Sequence, residues 1–314
     1  MPWIPSWLPL LLQLAIPLAL LAAVAYAPTT RVTWLALVGL TGTYLAAIGL
    51  AGLWLVLPWW LPNIFAAGLL AGIAKMWPQG TPLARPPSVR GWLTLAAITA
   101  ATLVAAAVVV VAIEAREPAG DALDLRFPLA SGTYLVVNGG GDALVNAHMN
   151  TVAGERFRAY RGQSFGVDLV RVNVAGFRTR GWMPADPAAY AIFGTSVRAP
   201  CGGRVVAAFD GAPDMPPPEA DRAHLAGNHV ILDCAGTWVV LAHLQRGSVA
   251  VRTGQAVAVL APLGRVGNSG NTSEPHLHVH AQRPGTAGEP LSGEPVAIRL
   301  DGQYLVRNDR VTTK

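Results

Sequence analysis

Residues 1–113 contain no aspartate or glutamate, and their only charged side chains are Arg31, Lys75, Arg85 and Arg90. The other 37 of the 41 charged residues follow Ile113. Charged residues make up 13% of the 314, against about 25% in ordinary soluble proteins, and hydrophobic residues reach 52%. Charge this scarce excludes a wholly water-soluble chain, and a composition this apolar excludes a disordered one. Cysteine is nearly absent: Cys201 and Cys234 are the whole set, and no Cys-x-x-Cys pair supports a cysteine zinc site. Runs of five or more Lys or Arg are absent too. The net charge of +5 is therefore spread out, which argues against a nucleic-acid partner and suits an anionic envelope polymer. No 20–50-residue period repeats.

What the first third does contain is apolar sequence. Four stretches stand out, over 7–27, 32–57, 60–74 and 92–113, and eight of the ten tryptophans lie at or before Trp92. A membrane span needs roughly 20 apolar residues, so the first, second and fourth qualify. The third is short, and Pro58 and Pro62 mark a turn before it. The sequence thus predicts about four spans, the third being a short span or a re-entrant piece. The N-terminus has no basic segment and further spans follow at once, so a cleaved signal peptide is not expected. Lys75, Arg85 and Arg90 cluster between the third and fourth stretches. Placing them in the cytoplasm sends the C-terminal part outside, and four spans put Arg31 inside as well. No charge falls within a stretch, so no ion path is indicated.

Residues 114–120 read as a linker and 121–314 as one domain of strands and turns. Short β-branched or aromatic runs such as 132–138, 203–208, 229–232 and 237–242 are bounded by Gly, Asn, Asp or Pro. Residues 210–226, rich in proline, read as a loop insertion. Cys201 and Cys234 both fall in this domain, where an extracytoplasmic setting predicts one disulfide; two reduced buried thiols are the alternative.

Three histidines alternate in Glu274-Pro-His-Leu-His-Val-His280. On a strand His276, His278 and His280 face one way, about 6.5–7 Å apart, while Leu277 and Val279 face the core. Imidazoles at that spacing can serve one metal site: one ligates and another reaches a bound water. A lone His-x-His is a weak signal, but its setting adds to it. Upstream lie the glycine-rich turn at 264–272, Leu241-Ala-His243-Leu244, and Gly166-Val-Asp168-Leu169. His224 reads as an exposed loop residue, His229 as structural or exposed, and Glu274 as a possible neighbour of the histidine strand.

Taken in order, Gly-x-Asp168, Ala-His243-Leu, Gly-Asn-Ser-Gly270 and Pro-His276-Leu-His278 resemble the M23 family of zinc metallopeptidases, the LytM- or lysostaphin-type peptidoglycan endopeptidases. The segments at 197–200, 203–206, 227–230 and 251–255 agree, and the resemblance covers roughly residues 160–285. It implies a mainly-β, antiparallel-sheet domain, and zinc as cofactor. Asp168 and His278 would be zinc ligands, His276 a catalytic residue beside the attacking water, and His243 a transition-state stabiliser that donates a hydrogen bond to the oxyanion. The substrate implied is a stem or cross-bridge peptide of peptidoglycan.

One position departs from the family. Its remaining ligand is a histidine four residues before the aspartate, and here that residue is Ser164. Three readings follow. His148, after the Gly-rich and Asn-rich stretch 138–146, supplies the third ligand from a preceding segment; His280 supplies it from the strand; or the site is metal-free and the domain binds cell-wall peptide or a partner protein as a scaffold. A membrane sensor whose spans carry the function is a further alternative.

Overall fold

The computed structural model describes residues 7–26, 30–77, 86, 88–118, 120–286 and 289–313. Ala27 of the first apolar stretch and Arg85 of the basic cluster lie outside the described residues. The chain divides at Glu114/Ala115 into two compact units.

The N-terminal unit is helical over Trp7–Tyr26, Arg31–Ala51, Leu61–Met76 and Val89–Glu114. Leucine and alanine recur in all four, and Leu18, Ile64, Leu70, Leu93, Leu103 and Val104 are exposed. Helices apolar on every face are what a lipid solvent selects. Among the described residues three helices are long and apolar enough to cross a membrane: Trp7–Tyr26, Arg31–Ala51 and Val89–Glu114.

The expectation of about four spans is corrected to three candidate spanning helices among the described residues. Leu61–Met76 has 16 residues, a rise of about 24 Å at 1.5 Å per residue, short of a hydrocarbon core of about 30 Å. Pro58 and the turn at Trp59–Trp60 delay its start. The second apolar stretch also ends early as helix. Gly52 leaves the helical region with ψ 152°, and its N–H, together with the Trp54 indole, donates to the Ile48 carbonyl at 2.9 and 2.8 Å. The remaining apolar residues up to Leu57 lie outside the helix.

The C-terminal unit is built on an antiparallel sheet. Its strands are β1 (Ala122–Leu125), β2 (Gly132–Asn138), β3 (Val167–Val172), β4 (Ser196–Arg198), β5 (Gly203–Phe209), β6 (Asn228–Cys234), β7 (Thr237–Leu244), β8 (Ala256–Val257), β9 (Pro262–Arg265), β10 (Leu277–Gln282), β11 (Pro295–Leu300) and β12 (Arg310–Thr313). The main path runs β12-β2-β3-β10-β7-β6-β5-β8, with β11 on β10 and β1 parallel to β11; β4 and β9 form a separate pair. This is the antiparallel architecture expected from the sequence.

β10 lies between β3 and β7, with His278 opposite Asp168 on one side and Ala242 on the other. The period of two then sorts the side chains. Leu277, Val279 and Ala281 enter the main core with Leu169, Val167, Val239 and Leu241. His278, His280 and Gln282 take the opposite face, where all three are buried. The predicted disulfide joins Cys201, before β5, to Cys234 at the end of β6, with a Cα–Cα distance of 6.0 Å. Closing a loop of this length is worth about 3–4 kcal/mol in the chain-entropy view.

Candidate metal centre

Asp168 is the hub. It is buried on β3, and three side chains converge on its carboxylate. His278 Nδ1 lies 2.8 Å from Oδ1, His148 Nε2 lies 2.9 Å from Oδ2, and Asn138 donates its Nδ2–H to Oδ2 at 2.7 Å. Burial alone would raise the pKa of Asp168, but the nearby His148 and His276 and the hydrogen bonds from His148 and His278 hold it well below the usual carboxylate range. The aspartate is therefore ionised at neutral pH.

The third member of the group comes from a distance in sequence. His148 sits on a short turn, Ala147–Thr151, and its ring meets that of His278 edge-on at 4.7 Å. Ser164, where the family places its histidine, is fully buried. Its hydroxyl donates to the Arg161 carbonyl at 2.7 Å and meets Thr151 Oγ1 at 3.0 Å, while Thr151 Oγ1 donates to the His148 carbonyl at 2.7 Å. The serine thus braces the turn that carries His148. Gly166 explains the first residue of Gly-x-Asp: a Cβ there would lie 2.6 Å from His278 Cε1 and 3.3 Å from His148 Cδ2.

His280 is not placed as a ligand. It is buried behind His278, where side-chain hydrogen bonds run in a line. In this orientation of the Gln282 amide, Oε1 accepts from His280 Nε2–H at 3.2 Å, and His280 Nδ1 accepts from His278 Nε2–H at 2.9 Å. With a metal bound, this tautomer would leave His278 Nδ1 without a proton, free to take the ion in place of its hydrogen bond to Asp168. Burial, with His278 next, holds His280 well below the usual histidine pKa; burial also lowers His278. Ligating histidines regularly donate their second N–H in this manner. The role of Gln282 escaped the sequence reading, because a glutamine four residues past a His-x-His carries no signal until the strand face is known.

The donor set fits a metal. One nitrogen each from His148 and His278 and one oxygen from Asp168 all lie within 4.8 Å of one another. Two imidazoles and a carboxylate are a set found in catalytic zinc sites, which keep a further position open.

His243 and His276 complete the group. His243 has φ +63°, a left-handed conformation that non-glycine residues seldom adopt. Such strain is often kept at functional sites. It turns the residue at the end of β7 so that its ring lies 4.8 Å from that of His276 and 5.9 Å from that of His278. His243 Nδ1–H donates to the Ser269 carbonyl at 2.9 Å, in the Gly-Asn-Ser-Gly turn. Burial, reinforced by His276 and His278, holds His243 well below the usual histidine pKa. His276, just ahead of β10, donates Nδ1–H to the Glu274 carbonyl at 2.9 Å, and its Nε2 lies 3.6 Å from Asp168 Oδ1. Glu274, only a possible neighbour in the sequence reading, is pinned by Arg178 through contacts of 2.7 and 2.8 Å.

Residues 188–290 match Peptidase family M23. The M23 match includes His243, His276 and His278 and stops short of Asp168 and His148. Solved structures that the chain matches in part include a zinc-containing peptidase from Vibrio cholerae, at 20% identity over 37% of this chain and 26% of that one, with a TM-score of 0.25. The catalytic domain of lysostaphin from Staphylococcus simulans is 19% identical over 41% of this chain and 73% of that one, with a TM-score of 0.27. The chain thus spans about a quarter of the length of the Vibrio protein. No curated protein matches it.

Of the remaining histidines, His224 is exposed and paired with Asp221 at 2.8 Å. His229 is packed on Phe209 with Nδ1–H on the Gly227 carbonyl. Neither joins the site.

Proposed function

We propose that this protein is a membrane-anchored, zinc-dependent endopeptidase that cuts stem or cross-bridge peptides of peptidoglycan. The observation that carries the reading is the convergence of His148, Asp168 and His278 on one point, with His243 and His276 beside it.

When bound, zinc supplies Lewis-acid polarisation of the scissile carbonyl and lowers the pKa of a water toward about 7. His278 and Asp168 hold their ligand forms at neutral pH, the first neutral and the second charged. His276 and His243 share one tautomer. Each gives its Nδ1–H to a backbone carbonyl, so each neutral ring keeps Nε2 free of a proton. Each can accept a proton from the attacking water. The role of oxyanion donor, which the resemblance implies for His243, is open to a ring only after it has taken a proton at Nε2. One protonated imidazole then stabilises the developing oxyanion or delivers the proton to the leaving amine.

The three apolar helices serve as the anchor. With Lys75 and Arg90 in the cytoplasm, the helix Val89–Glu114 leads outward and the catalytic unit faces the cell wall, as periplasmic or cell-surface domain. The disulfide suits that compartment. The direct test is release of new amino termini from purified cell-wall peptides by the zinc-loaded full chain. Cleavage that stops on chelation and returns with zinc is expected; intact peptides, beside an M23 control that cuts them, would contradict the proposal.

A further inference from the structure

We infer that Arg307, beyond the matched residues 188–290, is a positioning residue for the ligand His148, so that the end of the chain completes the metal centre. The inference rests on the metal-site reading above and extends it to residues that the family match does not contain.

No strand pairing holds His148 beside Asp168. The loop between Asn138 and Ala147 is held by backbone turns and by side chains, and one guanidinium reaches both of its ends. Arg307 donates Nε–H to the Val137 carbonyl at 2.9 Å, Nη1–H to the Leu144 carbonyl at 2.8 Å, and Nη2–H to Asn138 Oδ1 at 3.1 Å. A planar fork can bind three acceptors in fixed directions, which a lysine cannot reproduce.

The third of these bonds decides the geometry of the site. Asn138 Oδ1 also accepts the backbone N–H of Ala147, the residue before His148, at 3.1 Å. With its oxygen committed to two donors, the amide must turn Nδ2 the other way. There it donates to Asp168 Oδ2, the same oxygen that His148 Nε2 meets. Arg307 thereby orients Asn138, and Asn138 aligns the start of the His148 turn with the carboxylate.

Asn146 adds a second tie, with Oδ1 accepting the His148 N–H at 3.1 Å and Nδ2 donating to the carbonyls of Gly140 and Gly166. The C-terminal segment packs closely here: the backbone N–H groups of Arg307 and Asn308 donate to the Gly139 and Val136 carbonyls. Burial lowers Arg307 to a pKa of about 10, with Asp168 opposing the shift, so the guanidinium remains charged at neutral pH.

The experiment is zinc affinity of the full chain in detergent, measured by competition with chelators of graded strength. The proteins are wild type, Arg307→Met, Arg307→Lys, His148→Ala and the double variant Arg307→Met/His148→Ala. Partners of metal ligands are commonly worth about 10–100-fold in affinity. Arg307→Met is expected to weaken binding by about that range, and Arg307→Lys to weaken it too because the fork is lost. In the His148→Ala background the Arg307 change is expected to add less than about twofold, since the residue acts through that ligand. Wild-type affinity in Arg307→Met overturns the proposal, and so does an equal loss in the His148→Ala background, which would mark a general packing role. If Arg307→Met does not fold, Arg307→Lys is read in its place by the same two criteria. A wild-type chain that binds no zinc overturns the metal-site reading itself, and this inference with it.

Discussion

His276→Ala is expected to keep its zinc and to lose turnover by about 10²–10⁴-fold, the usual contribution of a positioned acid–base group. The two readouts separate because His276 stands beside the ligand set. Its Nε2 is 3.6 Å from Asp168 Oδ1, beyond hydrogen-bond distance, whereas His148 and His278 lie at 2.9 and 2.8 Å from the same carboxylate. Its Nδ1–H is spent on the Glu274 carbonyl, which leaves Nε2 as the proton acceptor. Metal content per chain and steady-state cleavage of one peptide check this together. Full activity in the variant would remove His276 from the mechanism and leave His243 as the base.

Asp168→Ala is expected to abolish both properties, with zinc affinity falling by well over 100-fold. The reasoning is comparative: partners outside the coordination shell are each worth about 10–100-fold, and Asp168 supplies the only negative charge in the ligand set. Removing it also leaves the Asn138 Nδ2–H without its acceptor in a buried site. Unmet buried donors cost about 1–3 kcal/mol each, so a lower unfolding temperature is expected as well. Chelator competition measures the first effect and thermal unfolding the second. Retained stoichiometric zinc in Asp168→Ala would show that the ion binds elsewhere.

Much of this site was legible before the fold. The alternation in Glu274–His280 places three histidines on one face because strands have a period of two, and the structure gives that face to His278 and His280. The order Gly-x-Asp168, His243, His276 and His278 pointed to the family chemistry. His148 could be nominated only among alternatives. No periodicity ties it to Asp168, and its position depends on Asn138 and on Arg307, far along the chain. His280 looked like a ligand candidate because strand spacing does not reveal depth; the structure shows it buried behind His278, taking that ring's second N–H.

The N-terminal helical unit shows the reverse limit. Hydropathy finds apolar residues but cannot see that the backbone leaves the helix at Gly52, or that the turn at Trp59–Trp60 leaves only Leu61–Met76 for the third helix. Both are local backbone events inside uniformly apolar sequence, so among the described residues three helices, and not four, have spanning length.

The central claim is a single metal held by His148, Asp168 and His278. The most direct measurement is zinc per purified full-length chain, for the wild type and for His148→Ala. The account predicts about one zinc per wild-type chain, as for a three-ligand catalytic site, and its loss in the variant. A wild-type chain that stays free of zinc when zinc is supplied, or a His148→Ala chain that holds it as tightly as the wild type, would contradict it.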